Sequence, residues 1–193
     1  MNADGFRHLG EKIVHQGYIW SVAVAQYESP DGTRFQRDIV RSPGAVTAVP
    51  VLIDGDGHAT VVLVRQWRPS IEREMLEAPA GMRDKNGESP SGTAYRELIE
   101  EAGYQAAELE LLTVYHPSAG MTDGTHHVYL ATGLTVVPRA LDGPEEQFMD
   151  VVHLPLDEAI AMIATGEITA SNTVIGLLLA ERRLRERGLL ATP

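Results

Sequence analysis

The feature that most constrains this chain is the segment from Gly81 to Tyr104, GMRDKNGESPSGTAYRELIEEAGY. Ser89 followed by Pro90 is a helix start. The serine hydroxyl can accept from an orphan backbone N–H, and proline suits the first helical position. Gly103 is a natural residue to end a helix in the left-handed conformation, so the pattern predicts a helix over 90–102. On such a helix Glu97, Glu100 and Glu101 stand at i, i+3 and i+4 and share one face. Like charges at these spacings destabilise a helix by roughly a few tenths of a kcal/mol per pair. Arg96, four residues before Glu100, offsets part of that. A hard divalent cation offsets it better, because Mg²⁺ takes carboxylate oxygens and keeps positions for water and phosphate oxygens. Taken alone, 96–101 is also what a solvated charged helix face looks like. The spacing around it decides.

That spacing resembles the Nudix box: glycine, five residues, glutamate, seven residues, then Arg-Glu-apolar-x-Glu-Glu-x-Gly-apolar. From Glu88 through Arg96, Glu97, Leu98, Glu100, Glu101, Gly103 and Tyr104 every defined position matches. The departure is at the start, where six residues separate Gly81 from Glu88. An extra residue there falls in the loop ahead of the helix and is expected to be absorbed without moving the carboxylates. The resemblance implies Glu97 and Glu101 as the main metal ligands, exposed on the helix surface, with Glu100 as a third ligand or a hydrogen-bonded member. It implies the backbone carbonyl of Ala80 as a further ligand. Glu88 and Arg96 are implied to brace loop and helix against each other. Such a set of hard oxygens suits Mg²⁺, or Mn²⁺ in its place, and not zinc or copper.

Composition bounds the rest. The 193 residues are 44% hydrophobic and 22% charged, enough for a real core and too apolar for disorder over most of the length. A net charge of −11 argues against nucleic acid as a partner. It also means that an anionic substrate needs local cations, from arginine or metal. With no cysteine, disulfides, thiol catalysis and cysteine-based zinc sites are excluded. The apolar runs are too short to span a bilayer or to serve as a signal peptide, so a cytoplasmic protein with no membrane partner is expected.

The remaining pattern reads as short strands over 12–41 with a turn at Ser29-Pro30-Asp31-Gly32, then strands over 45–53 and 60–67 joined by Asp54-Gly55-Asp56-Gly57. Further strands are predicted at 110–115, 127–131 and 149–154, and helices at 156–164 and 173–187. Strands and helices mix without regular alternation, which favours an α+β sandwich over a doubly wound sheet.

Outside the box, residues 12–185 are similar to the ADP-ribose pyrophosphatase branch of the family. The resemblance implies substrate contacts from Arg68 and Arg65 in Val64-Arg65-Gln66-Trp67-Arg68, from Glu77 and Met82 flanking Ala78-Pro79-Ala80-Gly81, and from Asp123. Arg37 and Asp38 are implied to reach the adenine side from a partner subunit. Either arginine of the strand also reads as a plain solubilising residue. Trp20 reads as a nucleobase-stacking ring or as core or dimer packing. His126 and His127 alternate faces, which predicts one buried and one exposed. Where the branch carries a Ser-Pro-Gly turn, this chain has Ala119, and Asp123 stands where glutamate is usual; both bear on the substrate's non-nucleotide end. The branch draws its general base from a loop before the final strand, here 138–146, which implies Glu145, then Glu146, with Glu100 or Asp123 as the remaining carboxylates.

The fold class expected is therefore α+β, a Nudix α/β/α sandwich with a small N-terminal antiparallel β-subdomain. Residues 1–42 are assigned to the subdomain and to homodimer formation, and 43–193 to the hydrolase domain. The expected reaction is Mg²⁺-dependent hydrolysis of ADP-ribose. Another nucleoside-diphosphate sugar such as GDP-mannose is the alternative within enzymes, and a non-catalytic ligand sensor the alternative outside them.

Overall fold

The computed structural model describes residues 5–141 and 146–190. Their internal contacts form two compact units. One holds the residues up to Gly44 together with His116–Thr125; the other holds Ala45–Tyr115 and the residues from His126 onward. The linear boundary expected at 42/43 thus has beside it a second stretch, the connection 116–125, that keeps company with the N-terminal residues.

The N-terminal unit is a three-stranded antiparallel sheet in the order β1-β2-β3, with β1 Arg7–Gln16, β2 Ser21–Glu28 and β3 Arg34–Arg41. The turn between β2 and β3 closes as its sequence dictates: Gly32 takes φ 85°, and Ser29 N donates to Thr33 O at 2.9 Å. β1 begins five residues before the predicted strand region. It is exposed along its whole length, so no buried alternation marks it in the sequence. Segment 116–125 is pinned to this sheet. Val40 N donates to Met121 O at 2.9 Å, and Asp123 accepts from Arg41 Nη1 at 3.0 Å and Ser42 N at 3.1 Å.

The larger unit is built on a seven-stranded sheet whose main path is β10-β5-β4-β9-β8, with β6 beside β5 and β7 beside β4. The strands are β4 Ala45–Ile53, β5 Ala59–Arg68, β6 Arg73–Glu77, β7 Ala80–Met82, β8 Tyr104–Tyr115, β9 His126–Val136 and β10 Asp150–Pro155. Only β4 and β9 run parallel. β4 and β5 pair with each other only over Val51–Ile53 and Ala59–Val61. Beyond that they splay, and β6 and β7 fill the gap, one on each, linked by Ala78-Pro79. This splay sets Glu77 opposite Val64 and Ala80 opposite Thr47. Neither β6 nor β7 was predicted.

Helices cover both faces, giving the α/β/α layering. On one face lies α1, Pro90–Glu97, continued by a π-helical turn, Leu98–Ala102. Ala94, Leu98 and Ala102 pack there on Val46, Ala48, Val62 and Tyr129. Leu98 is fully buried, and truncating such a residue to alanine costs about 2–5 kcal/mol. On the other face lie α2, Leu156–Thr165, and α3, Ser171–Glu186, whose apolar residues pack on Val49, Val51, Val61 and Leu63. Gly176 lets α3 approach closely: a Cβ there would stand 2.7 Å from Val49 Cγ2. Among the described residues no helix is long and apolar enough to cross a membrane.

Candidate active site

α1 starts as its sequence predicts, with Ser89 Oγ accepting from Gly92 N at 3.0 Å and Pro90 in the first turn. It does not continue as a regular α-helix to Ala102. After Glu97 the backbone widens, and the N–H of Gly103 reaches back to the carbonyls of both Ile99 and Leu98, the second being the i→i−5 pattern of a π turn. Gly103 ends it at φ 72°, with Val137 O and Arg139 Cγ each 3.0 Å from where a Cβ would stand. The three glutamates therefore do not form one solvated stripe. Glu97 and Glu101 are buried, at 7% and 4% exposure, and Glu100 is half-buried. The expectation that the ligand carboxylates are exposed is corrected here, because this face of the helix packs against β7.

The contact with β7 is close. A Cβ on Gly81 would collide with the Glu97 carboxylate, so only glycine admits that side chain. Beside it, Ala80 N donates to Glu101 Oε2 at 2.8 Å. The loop that carries the extra residue turns just before Glu88, where Gly87 adopts φ 80° and Glu88 N donates to Lys85 O at 3.2 Å. The helix and loop are tied by Arg96. Its Nε donates to Glu88 Oε1 at 3.2 Å and its Nη1 to Glu100 Oε2 at 2.6 Å, and Nη1 stands 2.8 Å from Glu97 Oε1. Thr93 Oγ1 adds a bond to Glu88 Oε2 at 2.9 Å. The Arg96 guanidinium holds the Glu88 carboxyl below the usual carboxylate range.

Neighbouring residues of β5 point to opposite faces. Val62 faces α1, whereas Val61 and Leu63 face α2 and α3. Gln66 and Arg68 therefore share the face of the glutamates, and so does Glu77, which pairs with Val64. Glu77 is 5% exposed, and its Oε2 accepts from Gln66 Nε2 at 2.9 Å and Arg68 Nε at 2.7 Å. It thus holds Arg68. Arg65 points the other way, into a hollow of about 300 Å³ with Met162 and Glu158 of α2. The geometry separates the two arginines that the sequence groups together. Met82 closes β7, half-buried and opposite Ala45.

The N-terminal unit has a cleft of its own, about 680 Å³, lined by Tyr27, Phe35, Arg37, Arg41, Ala119 and Asp123 among others. Tyr27 and Phe35 stack at 5.6 Å, and the Arg37 guanidinium lies 4.8 Å from the Phe35 ring centre. Arg37 and Asp123 line this cleft in one and the same chain. Asp38 is exposed on β3 opposite Val24, and Trp20, at 52% exposure, is no core residue of its unit. Glu145 lies outside the described residues; Glu146 opens a short 3₁₀ turn, Glu146–Phe148. Neither histidine is exposed. His126 Nε2 lies 2.7 Å from Thr47 Oγ1 on the α3 face, and burial lowers its pKa to about 4. His127, half-buried on the α1 face, is held below its ordinary value by burial and then by the charge of Arg83.

One further group of ligand-type atoms, from Asp54, Asp56 and His58, gathers within 4.8 Å. It is the hairpin's own turn: Asp54 Oδ1 accepts from Asp56 N and His58 N, both at 2.9 Å. All three residues are exposed, and nothing there points to a ligand.

A NUDIX domain matches residues 43–174, spanning the glutamate helix, β7 and the whole central sheet. The chain belongs to the Nudix family of hydrolases. It is 32% identical over 169 residues to an ADP-ribose pyrophosphatase of Bacillus subtilis, covering 88% of this chain and 89% of that one. It is 37% identical over 164 residues to a methanol dehydrogenase activator of Bacillus methanolicus, covering 85% and 86%. A crystal structure of an ADP compounds hydrolase shares the fold, with a TM-score of 0.81 at 23% identity over 96% of this chain and 97% of that one.

Nudix hydrolases use a divalent metal, and the residues here fit one. Glu97 and Glu101 are hard oxygen donors brought against the bare backbone of Gly81 and the amide of Ala80. Gln66, Asn172 and Thr173, which also support this region, were not singled out in the sequence.

Proposed function

We propose that this chain hydrolyses ADP-ribose with Mg²⁺, or Mn²⁺ in its place, water attacking one phosphorus of the pyrophosphate to give AMP and ribose 5-phosphate. The observation that carries the reading is the pairing of Glu97 and Glu101 with the Ala80–Gly81 backbone, on the sheet face that also presents Arg68. The similarity to an ADP-ribose pyrophosphatase over nearly the whole chain supports the substrate.

Glu97, Glu101 and the Ala80 carbonyl would hold the ion, with Glu100 beside them; it would supply charge neutralisation and activation of the attacking water. Arg68, fixed by Glu77, adds a preorganised positive charge for the phosphate oxygens in a protein whose net charge is −11. Gly81 keeps the Glu97 carboxylate against β7. Arg96 ties Glu88, Glu97 and Glu100 together so that the loop and the helix move as one. The water's proton goes to a carboxylate, which we assign to the loop carrying Glu145 and Glu146.

In the N-terminal unit, the cleft with Tyr27, Phe35 and Arg37 has the chemistry of a nucleobase pocket, with aromatic faces and a guanidinium. Residues 1–42 also serve as a dimerising subdomain, supported by a β1 strand exposed along its length that carries Leu9, Ile13 and Val14. We place the protein in the cytoplasm, as a homodimer acting on a nucleoside-diphosphate sugar without nucleic acid or membrane.

The test is hydrolysis of ADP-ribose, ADP-glucose, GDP-mannose and diadenosine polyphosphates in parallel, with Mg²⁺, with Mn²⁺ and with EDTA. ADP-ribose is expected to have the highest kcat/KM, and EDTA to abolish turnover. A higher kcat/KM for a nucleoside-diphosphate hexose overturns the substrate, and turnover that survives EDTA overturns the metal.

A further inference from the structure

The segment Ala78-Pro79-Ala80 has to be held at atomic precision if the Ala80 carbonyl is to serve beside Glu97 and Glu101. The glutamate helix holds it from one face of the sheet, through Ala80 N and Glu101 Oε2. The opposite face has its own grip. Ala78 N donates to Thr173 Oγ1 at 3.0 Å, a buried bond across 95 residues of sequence, and Thr173 is fully buried. One residue earlier on α3, Asn172 Nδ2 donates to Thr47 Oγ1 at 2.9 Å. Thr47 is the β4 residue paired opposite Ala80, and it also bonds His126 Nε2 at 2.7 Å. Between these two bonds, Pro79 O accepts from Ala48 N at 2.9 Å.

The start of α3 therefore brackets the loop on both sides, through its amide at Ala78 and through the strand residue opposite Ala80. α3 is pressed close enough to do so by Gly176, which leaves no room for a Cβ above Val49. Thr173 and Asn172 lie on the other side of the sheet from Glu97 and Glu101. A buried amide that loses its acceptor costs about 1–3 kcal/mol. The loop relieves that cost by shifting, and a shift at Ala78 is carried two residues on to Ala80.

We propose that Thr173 and Asn172 are positioning residues of the cation site: the first turn of α3 sets the Ala80 carbonyl from behind the sheet. This rests on the reading of Glu97, Glu101 and Ala80 as a cation site. Residues supporting a metal's ligands change its affinity by about 10–100-fold when removed, whereas a residue with a merely structural role lowers stability at every cation concentration alike.

The experiment is thermal unfolding of the full chain in EDTA and across a MgCl₂ titration, repeated with MnCl₂, for wild type, Thr173→Val, Thr173→Ser and Asn172→Ala. An ion that binds the folded state raises Tm with its concentration. Thr173→Val is expected to need at least about tenfold more Mg²⁺ for the half-maximal Tm rise, Thr173→Ser to restore the wild-type value, and Asn172→Ala to fall between. If Thr173→Val does not fold, the half-buried Asn172→Ala decides in the same way. A variant that lowers Tm in EDTA but keeps the wild-type half-saturation overturns the inference. A wild type whose Tm responds to neither cation overturns the cation reading itself, and the inference with it.

Discussion

Glu77 and Arg68 form a buried anchor and a half-exposed arm: Arg68 Nε and Nη2 lie 2.7 and 2.6 Å from Glu77 Oε2, and Glu77 is 5% exposed while the Arg68 side chain is 38% exposed. Glu77 thus holds the arginine in place. Charge-assisted bonds of this kind are worth about 1.5–3 kcal/mol. Glu77→Gln is expected to lower kcat/KM for ADP-ribose roughly tenfold to a hundredfold, with Arg68→Ala at least as severe. Arg65→Ala, on the opposite face, is expected to leave kcat/KM within about twofold. Steady-state kinetics of the three variants checks this, and an Arg65→Ala defect equal to that of Arg68→Ala overturns the separation of the two arginines.

Gly81 gives a sharper test of the glutamate cradle. A methyl group there meets the Glu97 carboxylate, not solvent, and Glu97 has to leave. Gly81→Ala is expected to lower kcat at least about a hundredfold, a geometric loss of the kind that misplaced catalytic groups show. Far-UV circular dichroism should stay native. Near-normal turnover would mean that Glu97 is not needed where it stands.

His126 predicts how stability varies with pH. Burial lowers its pKa from 6.5 to about 4, so the folded state favours the neutral ring. The associated stability is fully present above about pH 6.5 and is lost as pH falls toward 4, because the unfolded chain takes up the proton first. The loss is on the order of a few kcal/mol. Urea unfolding between pH 7 and pH 5 should show a falling free energy in wild type and a flatter profile in His126→Gln. Equal slopes for the two proteins would remove His126 as the cause.

Much of this site is legible in the sequence, and the limits have physical causes. The helix start at Ser89-Pro90, its end at Gly103 and the matched spacing of Glu97, Glu100 and Glu101 are local signals, and they appear where expected. The π turn after Glu97 leaves no mark that local patterning can read. The first half of β1 is invisible because β1 is exposed along its whole length, and β6 because five residues carry little periodicity. Strand alternation could have separated Arg65 from Arg68, since three positions along a strand means opposite faces. The bonds from Asp123 to Arg41 and Ser42, and from Thr173 to Ala78, join residues 82, 81 and 95 positions apart. No local pattern encodes such distances.

The last expectation concerns the proton. Glu100 stands next to the cradle, but its Oε2 accepts from Arg96 Nη1 at 2.6 Å, and its neighbours Glu97 and Glu101 are the ones pressed on β7. A carboxylate held by the arginine that braces the helix is badly placed to turn toward a water. The loop carrying Glu145 and Glu146 is the alternative source of the base, and general-base catalysis is typically worth about 10²–10⁴-fold. Glu145→Gln is therefore expected to lower kcat at least about a hundredfold with little change in KM, Glu146→Gln to have the smaller effect, and Glu100→Gln to be milder than Glu97→Gln or Glu101→Gln. The pH profile separates base from ligand: loss of the base should remove the acidic limb of log kcat, whereas loss of a ligand should leave the limb and raise the Mg²⁺ requirement. If both loop variants and their double mutant keep most of the activity and Glu100→Gln loses the limb, the base is Glu100, and the loop serves the substrate in some other way.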